Sequence, residues 1–491
     1  MSQEIKKIVY CPAGHSSNDI VLPSYPNLVR NGGCDLCTKE HFIQEFKTWS
    51  SGNADIDEII QEFPKNNIYD KLHWIPYNNF QNIKHVVDGG HGSAYSAELK
   101  NGIKCYWNFI NQNWVYRLIG YEVALKEIKD SRFDIVKFLK EKKIVNYYEF
   151  SANYYGISKN PSTQNYIFVM DLFDGDLHNF LAKKFWDLKW QLKIDILSSV
   201  TSFLDYLHEK NLFHRNLHSG NILMNYDYEV YISDLRIDFG LHKLEDDLIL
   251  NSNNKNNEIY GLIPYIPPEV LRGNEFTREG DIYSFGGIMY EIVTAQRPFA
   301  DQAHDTYLII DICNGVRPKV PDFMLNWIPE WYLDLMYQCW SDDPSKRPTA
   351  NELTILFLDI FDGNTMDYNV IQQLDIADEN QKNISESQKQ ELFKLFLHSN
   401  KLHPQSCYIN RSIHTLHGLH DLLEEIKSGK SSEIPSSPSS RIAQIPQIPS
   451  SPSPPSPISF SSPTSSLSQT LRYPRTLIII ITDMKTEIKD K

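Results

Sequence analysis

The sequence predicts an α+β chain of two lobes, a small β-rich lobe followed by a larger helical one. Three patterns carry that expectation. Val123–Lys126 and Tyr166–Asp171 are short apolar runs that read as buried strands. From Leu188 to Asn211, Leu192, Ile196, Val200, Phe203 and Leu207 recur at steps of three and four, the period of a helix that buries one face. A second helical run begins at Asp281 and carries Phe285, Ile288, Met289, Ile292 and Val293.

Composition narrows the setting. The chain has 491 residues, 41% of them hydrophobic, and a formal net charge of −14, so it has room for more than one folding unit and its acidic balance argues against a general nucleic-acid surface. Its longest strongly apolar run, Leu477–Ile481, is far below the roughly 18 residues that span a bilayer, which predicts no membrane span. A cytoplasmic location is expected, with the nucleus also compatible. Seven cysteines are too few for a disulfide framework, which leaves reduced thiols or a local metal site.

Segment by segment, residues 1–79 carry Cys11-x3-His15 and Cys34-x2-Cys37. These supply four thiolate or imidazole ligands, enough for one tetrahedral Zn²⁺, with His41 as a spare; unconnected cysteines are the alternative reading. The following GNADIDEIIQEF reads as a short capped helix. Residues 362–430 read as a partly helical extension. Ser and Pro dominate the stretch from Ser431 to Pro463 and leave too few apolar side chains to order the chain, so 431–475 are expected to be a disordered tail, followed by a short β-prone segment at 476–491.

Between these flanks lies an ordered series of motifs: VVDGGHGSAY, Val123-Ala124-Leu125-Lys126, YIFVMDLFDGDL, His214-Arg215-Asn216-Leu217-His218-Ser219-Gly220-Asn221, ISDLRIDFGLHK, YGLIPYIPPEVLRG, GDIYSFG and DPSKRPTA. In that order and spacing, residues of about 80–361 resemble a eukaryotic protein kinase domain of the tyrosine-kinase-like group. The resemblance implies a two-lobed protein kinase fold, ATP and Mg²⁺ as cofactors, and phosphoryl transfer to a Ser, Thr or Tyr hydroxyl of a protein substrate.

The roles it implies fall on particular residues. Gly89, Gly90 and Gly92 would let the backbone approach ATP, although Val87, His91 and Ala94 depart from the family's loop and predict reduced nucleotide affinity. Lys126 would neutralise phosphates, held by Glu141 from the helical segment that follows it. The stretch from Gly92 to Lys126 is longer than a tight hairpin requires and implies an insertion around Cys105 to Gly120. Met170 would stand beside the adenine pocket, with backbone groups of Asp171 to Phe173 facing the base. Asp176 reads as an exposed loop carboxylate.

The resemblance breaks at the catalytic loop. Asn216 stands where the family has the aspartate that accepts or orients the substrate's hydroxyl proton. A carboxamide has no basic lone pair at neutral pH. Losing a positioned base costs about 10²- to 10⁴-fold, roughly 3 to 5 kcal/mol of barrier, so weak catalysis is expected. The alternative is a catalytically inactive pseudokinase that acts as a scaffold or allosteric partner. His218 replaces a lysine that usually meets the transferring phosphate, and Asn221 remains as a magnesium ligand. The second magnesium ligand is expected at Asp234, which follows Asn221 at the spacing of a short hairpin and lies within the strand-like YISDL; the alternative is Asp238, which lies further on but heads the literal Asp238-Phe239-Gly240. Glu269 would pair with Arg347, and Asp281 would brace the catalytic loop. Ser252 and Tyr260 are the hydroxyl residues between Leu241 and Gly261, hence its phosphorylation candidates.

Overall fold

The computed structural model describes residues 8–22, 25–66, 72–89, 92–129, 152–225, 228–233, 258–362, 368–385 and 405–427, with positions 135, 136, 139, 387 and 389 beside them. Gly90, His91, Glu141, Asp234, Asp238, Ser252 and everything from 428 on lie outside the described residues. The chain divides into two compact units, Met1–Leu419 and His420–Lys491. Among the described residues no helix is long and apolar enough to cross a membrane.

A short hairpin, β1 (Val29–Arg30) and β2 (Gly33–Cys34), leads into α1 (Asp35–Glu45). The capped helix expected after it is α2 (Ala54–Asn66), and the Asn53 side-chain oxygen accepts from the N–H groups of Asp55 at 2.9 Å and Ile56 at 3.3 Å. Ile56, Ile59 and Ile60 of α2 are buried with Ile157, Phe168 and Met170. Burying each such side chain stabilises the small lobe by roughly 1.5–3 kcal/mol.

Along the chain follow β3 (His73–Trp74), β4 (Phe80–Gly89), β5 (Gly92–Leu99), β6 (Ile103–Asn108), β7 (Asn113–Arg117), β8 (Glu122–Ile128), β9 (Tyr154–Lys159) and β10 (Tyr166–Asp171). Six of them make the small-lobe sheet, in the order β3-β9-β10-β8-β5-β4, with β3 parallel to β9 and the other neighbours antiparallel. The two expected buried strands are its centre, β8 and β10.

The inserted residues form the β6–β7 hairpin. It leaves the main sheet and joins β1 and β2 in a second sheet of order β1-β2-β6-β7. Two tryptophans fasten it to α1. Trp107 stacks on His41 with ring centroids 3.7 Å apart, and Trp114 Nε1 donates to Glu45 Oε1 at 2.7 Å. Lys104 also pairs with Glu45. His41, a spare ligand in the sequence reading, is engaged in this packing.

The large lobe starts with α3 (Leu177–Lys184) and α4 (Trp190–Glu209). The hairpin of β11 (Ile222–Met224) and β12 (Val230–Ile232) comes next, then β13 (Glu258–Gly261). The second helical run begins slightly before Asp281, as α5 (Arg278–Thr294), and every residue from Gly280 to Thr294 is buried. A helix buried on all sides belongs at the centre of a lobe, and the polar side chains it carries, Asp281 and Glu291 among them, are hydrogen-bonded there. Around it stand α6 (Thr306–Cys313), α7 (Glu330–Cys339) and α8 (Ala350–Asp362).

Beyond residue 362 the chain returns to the large lobe. In α9 (Tyr368–Lys382), Asp378 Oδ1 accepts from Trp190 N at 2.9 Å, and Gln381 Oε1 accepts from Lys193 Nζ at 2.8 Å. Further on, β14 (Arg411–His414) pairs antiparallel with β13, and α10 (Leu416–Lys427) follows.

Candidate catalytic loop and cysteine–histidine cluster

The loop after α4 is held from behind by Asp281 of α5. This fully buried carboxylate accepts from His214 N at 2.7 Å and Arg215 N at 2.8 Å, and His208 Nε2 lies 3.0 Å away. Arg215 has φ +62°, a left-handed conformation that an L side chain adopts at a cost, and the two bonds to Asp281 hold it there. The bracing role expected of Asp281 is what the geometry supplies.

Asn216 is buried at 6% exposure. Its backbone carbonyl accepts from Asn221 Nδ2 at 2.8 Å, so Asn221 keeps its Oδ1 as an oxygen donor of the kind a hard Mg²⁺ takes. Ser233 N donates to Asn221 O at 2.8 Å, and His214 Nε2 lies 3.2 Å from Ser233 O. The β11–β12 register, Ile222 opposite Ile232, creates this meeting. Asp234 is therefore the residue next to one bonded to Asn221, whereas Asp238 lies further along the chain.

His218 turns back into its own loop. Gly220 N donates to His218 Nδ1 at 3.1 Å, so the ring caps the short turn Ser219–Asn221. Asp176, expected as an exposed carboxylate, accepts from Asn179 N at 2.7 Å and caps α3.

On the small lobe, β8 alternates: Val123 and Leu125 face one apolar cluster, while Ala124 and Ile128 face another that includes Phe168 and Met170. Lys126 shares the second face, half-buried, opposite Phe168 on β10. Met170 is buried beside Tyr154 and Leu139. The Asp171 carboxylate accepts from Asn153 Nδ2 at 2.8 Å and from the Tyr155 hydroxyl, and its N–H donates to Asn153 O. Burial, then that bond to Asp171, raises the Tyr155 pKa. Phe173 leaves the sheet and packs on Tyr231 at 5.1 Å.

Gly89 pairs with Gly92 where β4 turns into β5. A Cβ on Gly92 would sit 1.9 Å from the Glu127 carbonyl oxygen, so this glycine is required by the approach of β5 to β8, a packing reason distinct from phosphate access. Asp88 at the same turn is bonded by the Ser93 hydroxyl, which also accepts from Lys129 Nζ at 2.6 Å. Deeper in the large lobe, Arg347 clasps Glu269 in a two-pronged ion pair, Nη1–Oε1 at 2.7 Å and Nη2–Oε2 at 2.8 Å.

The four N-terminal ligands converge. Cys11, His15, Cys34 and Cys37 place their donor atoms within 4.8 Å of one another, with Sγ to Nδ1 distances of 3.5, 3.7 and 3.4 Å for Cys11, Cys34 and Cys37, and 3.5 Å between the sulfurs of Cys11 and Cys37. A tetrahedron of Zn–S bonds near 2.3 Å and a Zn–N bond near 2.0–2.1 Å has edges of about 3.8 and 3.6 Å. The residues present thus fit one Zn²⁺. Burial, with Cys11 and Cys34 alongside, raises the Cys37 thiol pKa. Two supports were not legible beforehand. Glu40 Oε1 lies 3.3 Å from His15 Nε2, the partner that fixes a ligand imidazole, and Asn27 Nδ2 donates to Cys34 Sγ at 3.4 Å.

Comparison with known proteins bears on the central residues. A family model described as protein tyrosine and serine/threonine kinase matches residues 85–357. A probable serine/threonine-protein kinase of Dictyostelium discoideum, kinX, is 26% identical over 314 residues, 62% of this chain and 25% of the relative. A protein kinase and PP2C-like domain-containing protein of Arabidopsis thaliana is 28% identical over 283 residues, 50% of this chain and 41% of the relative. Ankyrin repeat and protein kinase domain-containing protein 1 of Mus musculus is 32% identical over 200 residues, 40% of this chain and 26% of the relative. The chain spans less than half the length of these relatives.

Proposed function

The chain belongs to the protein tyrosine and serine/threonine kinase family, and on that premise we propose that it binds ATP with Mg²⁺ and transfers phosphate slowly to Ser or Thr hydroxyls of a protein partner. Bound ATP and Mg²⁺ would supply the electrophilic phosphoryl group and the charge that offsets its oxygens. Gly89, Gly90 and Gly92 would cover the phosphates, Lys126 with Glu141 would position them, and Met170 with the backbone of Asp171 to Phe173 would border the adenine. Asn221 and Asp234 would hold the metal; the Ser233–Asn221 bond favours Asp234 over Asp238. The Ser/Thr preference follows the named activities of the relatives.

The observation that carries the reading of slow transfer is Asn216, fixed through the Asn221 bond to its carbonyl, with a carboxamide where a proton acceptor belongs. A neutral amide can orient the hydroxyl by hydrogen bond without taking its proton. The same residue favours a second reading, a pseudokinase that binds nucleotide and serves as a scaffold or allosteric partner. Zn²⁺ held by Cys11, His15, Cys34 and Cys37 is a structural part of either, and the cytoplasm suits both. Thermal-shift titration with ATP and Mg²⁺ tests the shared premise: at ligand 100 times its Kd the chain gains about 2.7 kcal/mol, and Lys126→Met should lose most of that shift. An unmoved melting temperature in the parent chain at millimolar ATP refutes nucleotide binding.

A further inference from the structure

The segment Glu258–Gly261 (β13) lies between the metal-binding loop and Pro267-Pro268-Glu269, which makes it part of the activation segment of the family. Its edge carries β14, with Glu258 opposite His414, Ile259 opposite Ile413, Tyr260 opposite Ser412 and Gly261 opposite Arg411. The partner strand comes from the same chain, far along the sequence. An extended backbone edge of this kind takes a peptide by adding a strand, with main-chain hydrogen bonds for affinity.

The pairing has a second anchor. Upstream of β14 the chain docks on the large lobe around His304: His304 N donates to Gln405 O at 3.2 Å, Cys407 N donates to His304 Nδ1 at 3.1 Å, and Arg411 reaches His304 O. The Tyr408 hydroxyl donates to Pro298 O at 2.9 Å while Arg297 lies over its ring at 4.7 Å. At the strand itself Ile413 is buried, but Ser412 is exposed, and its hydroxyl donates to Glu258 Oε2 at 3.0 Å. His414 Nδ1 lies 3.3 Å from Glu258 Oε1. One half of the attachment is thus a set of hydrogen bonds onto the buried His304 of the large lobe, and the other half is a short strand that buries Ile413 while its Ser412–Glu258 contact faces solvent.

We infer that residues 405–415 are a cis-acting strap: they occupy the extended-peptide edge of the activation segment, and a protein partner gains that edge only when the strand half of the strap leaves. The label of the segment rests on the family reading; occupancy of the edge rests on the register alone. A tethered strand competes at an effective concentration in the millimolar range, so a free peptide at micromolar concentration does not displace it from the intact chain. Glu258 is the natural release point, because added negative charge at Ser412 would face its carboxylate across a hydrogen-bond distance.

The test uses the full chain, its Ser412→Asp variant and its Ile413→Asp variant, with a fluorescein-labelled synthetic peptide of residues 405–416. Hydrogen exchange and fluorescence anisotropy are read without ATP, so a chain incapable of phosphoryl transfer still answers. In both variants the amides of 259–261 should exchange at least about tenfold faster, while α5 stays protected. The labelled peptide should bind the variants at least about tenfold more tightly than the parent, and saturating peptide should restore protection at 259–261. Unchanged exchange at 259–261, an opened edge that the peptide fails to protect, or loss of protection spreading through α5 would each overturn the strap, the last by making β14 an inseparable part of the lobe.

Discussion

Asp281 and Lys193 are both fully buried ionisable residues of the large lobe, and their surroundings give them opposite consequences. Around Asp281 two backbone N–H groups and His208 satisfy the carboxylate, so removing it leaves buried donors without an acceptor at about 1–3 kcal/mol each. Asp281→Ala should therefore lower stability by roughly 2 to 5 kcal/mol in urea unfolding and release the catalytic-loop amides to faster exchange. A loss under about 1 kcal/mol would mean that the loop does not depend on this carboxylate. Lys193 meets Gln381 Oε1 and the rings of Trp190 and Phe185, and burial pushes its pKa down to about 7, with Asp378 pulling the other way. An unfolded lysine titrates near 10.4, so between about pH 7 and 10.4 the unfolded chain holds more protons and stability rises with pH. Lys193→Met lacks that dependence. Its melting temperature relative to the parent should be most favourable near pH 6.5 and fall by at least about 2 °C toward pH 9.5; a difference that stays constant across that range would refute the shifted lysine.

At the scale of elements, the inserted hairpin and the cysteine–histidine cluster behave as one structure. Cys34 both ends β2 and stands in the cluster, β2 pairs with β6 at Gly33 opposite Asn108, and Trp107 and Trp114 rest on α1, which carries Cys37. Removal of Zn²⁺, or Cys34→Ser, should loosen α1 and with it the hairpin. The expected readings are one zinc per parent chain by elemental analysis, and a red shift of tryptophan emission after chelation that added Zn²⁺ reverses. Chelation that strips zinc without moving the emission would separate the cluster from the hairpin. The elements differ in how far they could be read in advance. The central strands β8 and β10 and the helix α4 were legible because each announces itself within its own few residues. Ligand spacing likewise marked Cys11, His15, Cys34 and Cys37. Glu40 and Asn27 were not legible, since an isolated polar residue becomes a ligand's support only once the chain folds over it. The β13–β14 pair escaped for a related reason: such short strands have little pattern of their own, and their register is set by contacts between distant parts of the sequence.

For the molecule as a whole, a cysteine–histidine cluster, a kinase domain and a returning C-terminal segment are built into one chain. Motif order located Asp281 and Glu269 with Arg347, and the geometry gives each a partner that suits its expected place. It could not show that Gly92 is needed by the sheet or that the His218 ring caps its own turn, because both follow from close approach in three dimensions. The proposed slow transfer turns on the amide at 216, whose backbone is already held by Asn221, so an aspartate there should enter the same position without rebuilding the loop. Single-turnover phosphoryl transfer to a generic protein substrate, parent against Asn216→Asp, measures this most directly. A rate increase of about 10²-fold or more is the expected result. Equal rates in the two proteins, or brisk turnover by the parent, would contradict it.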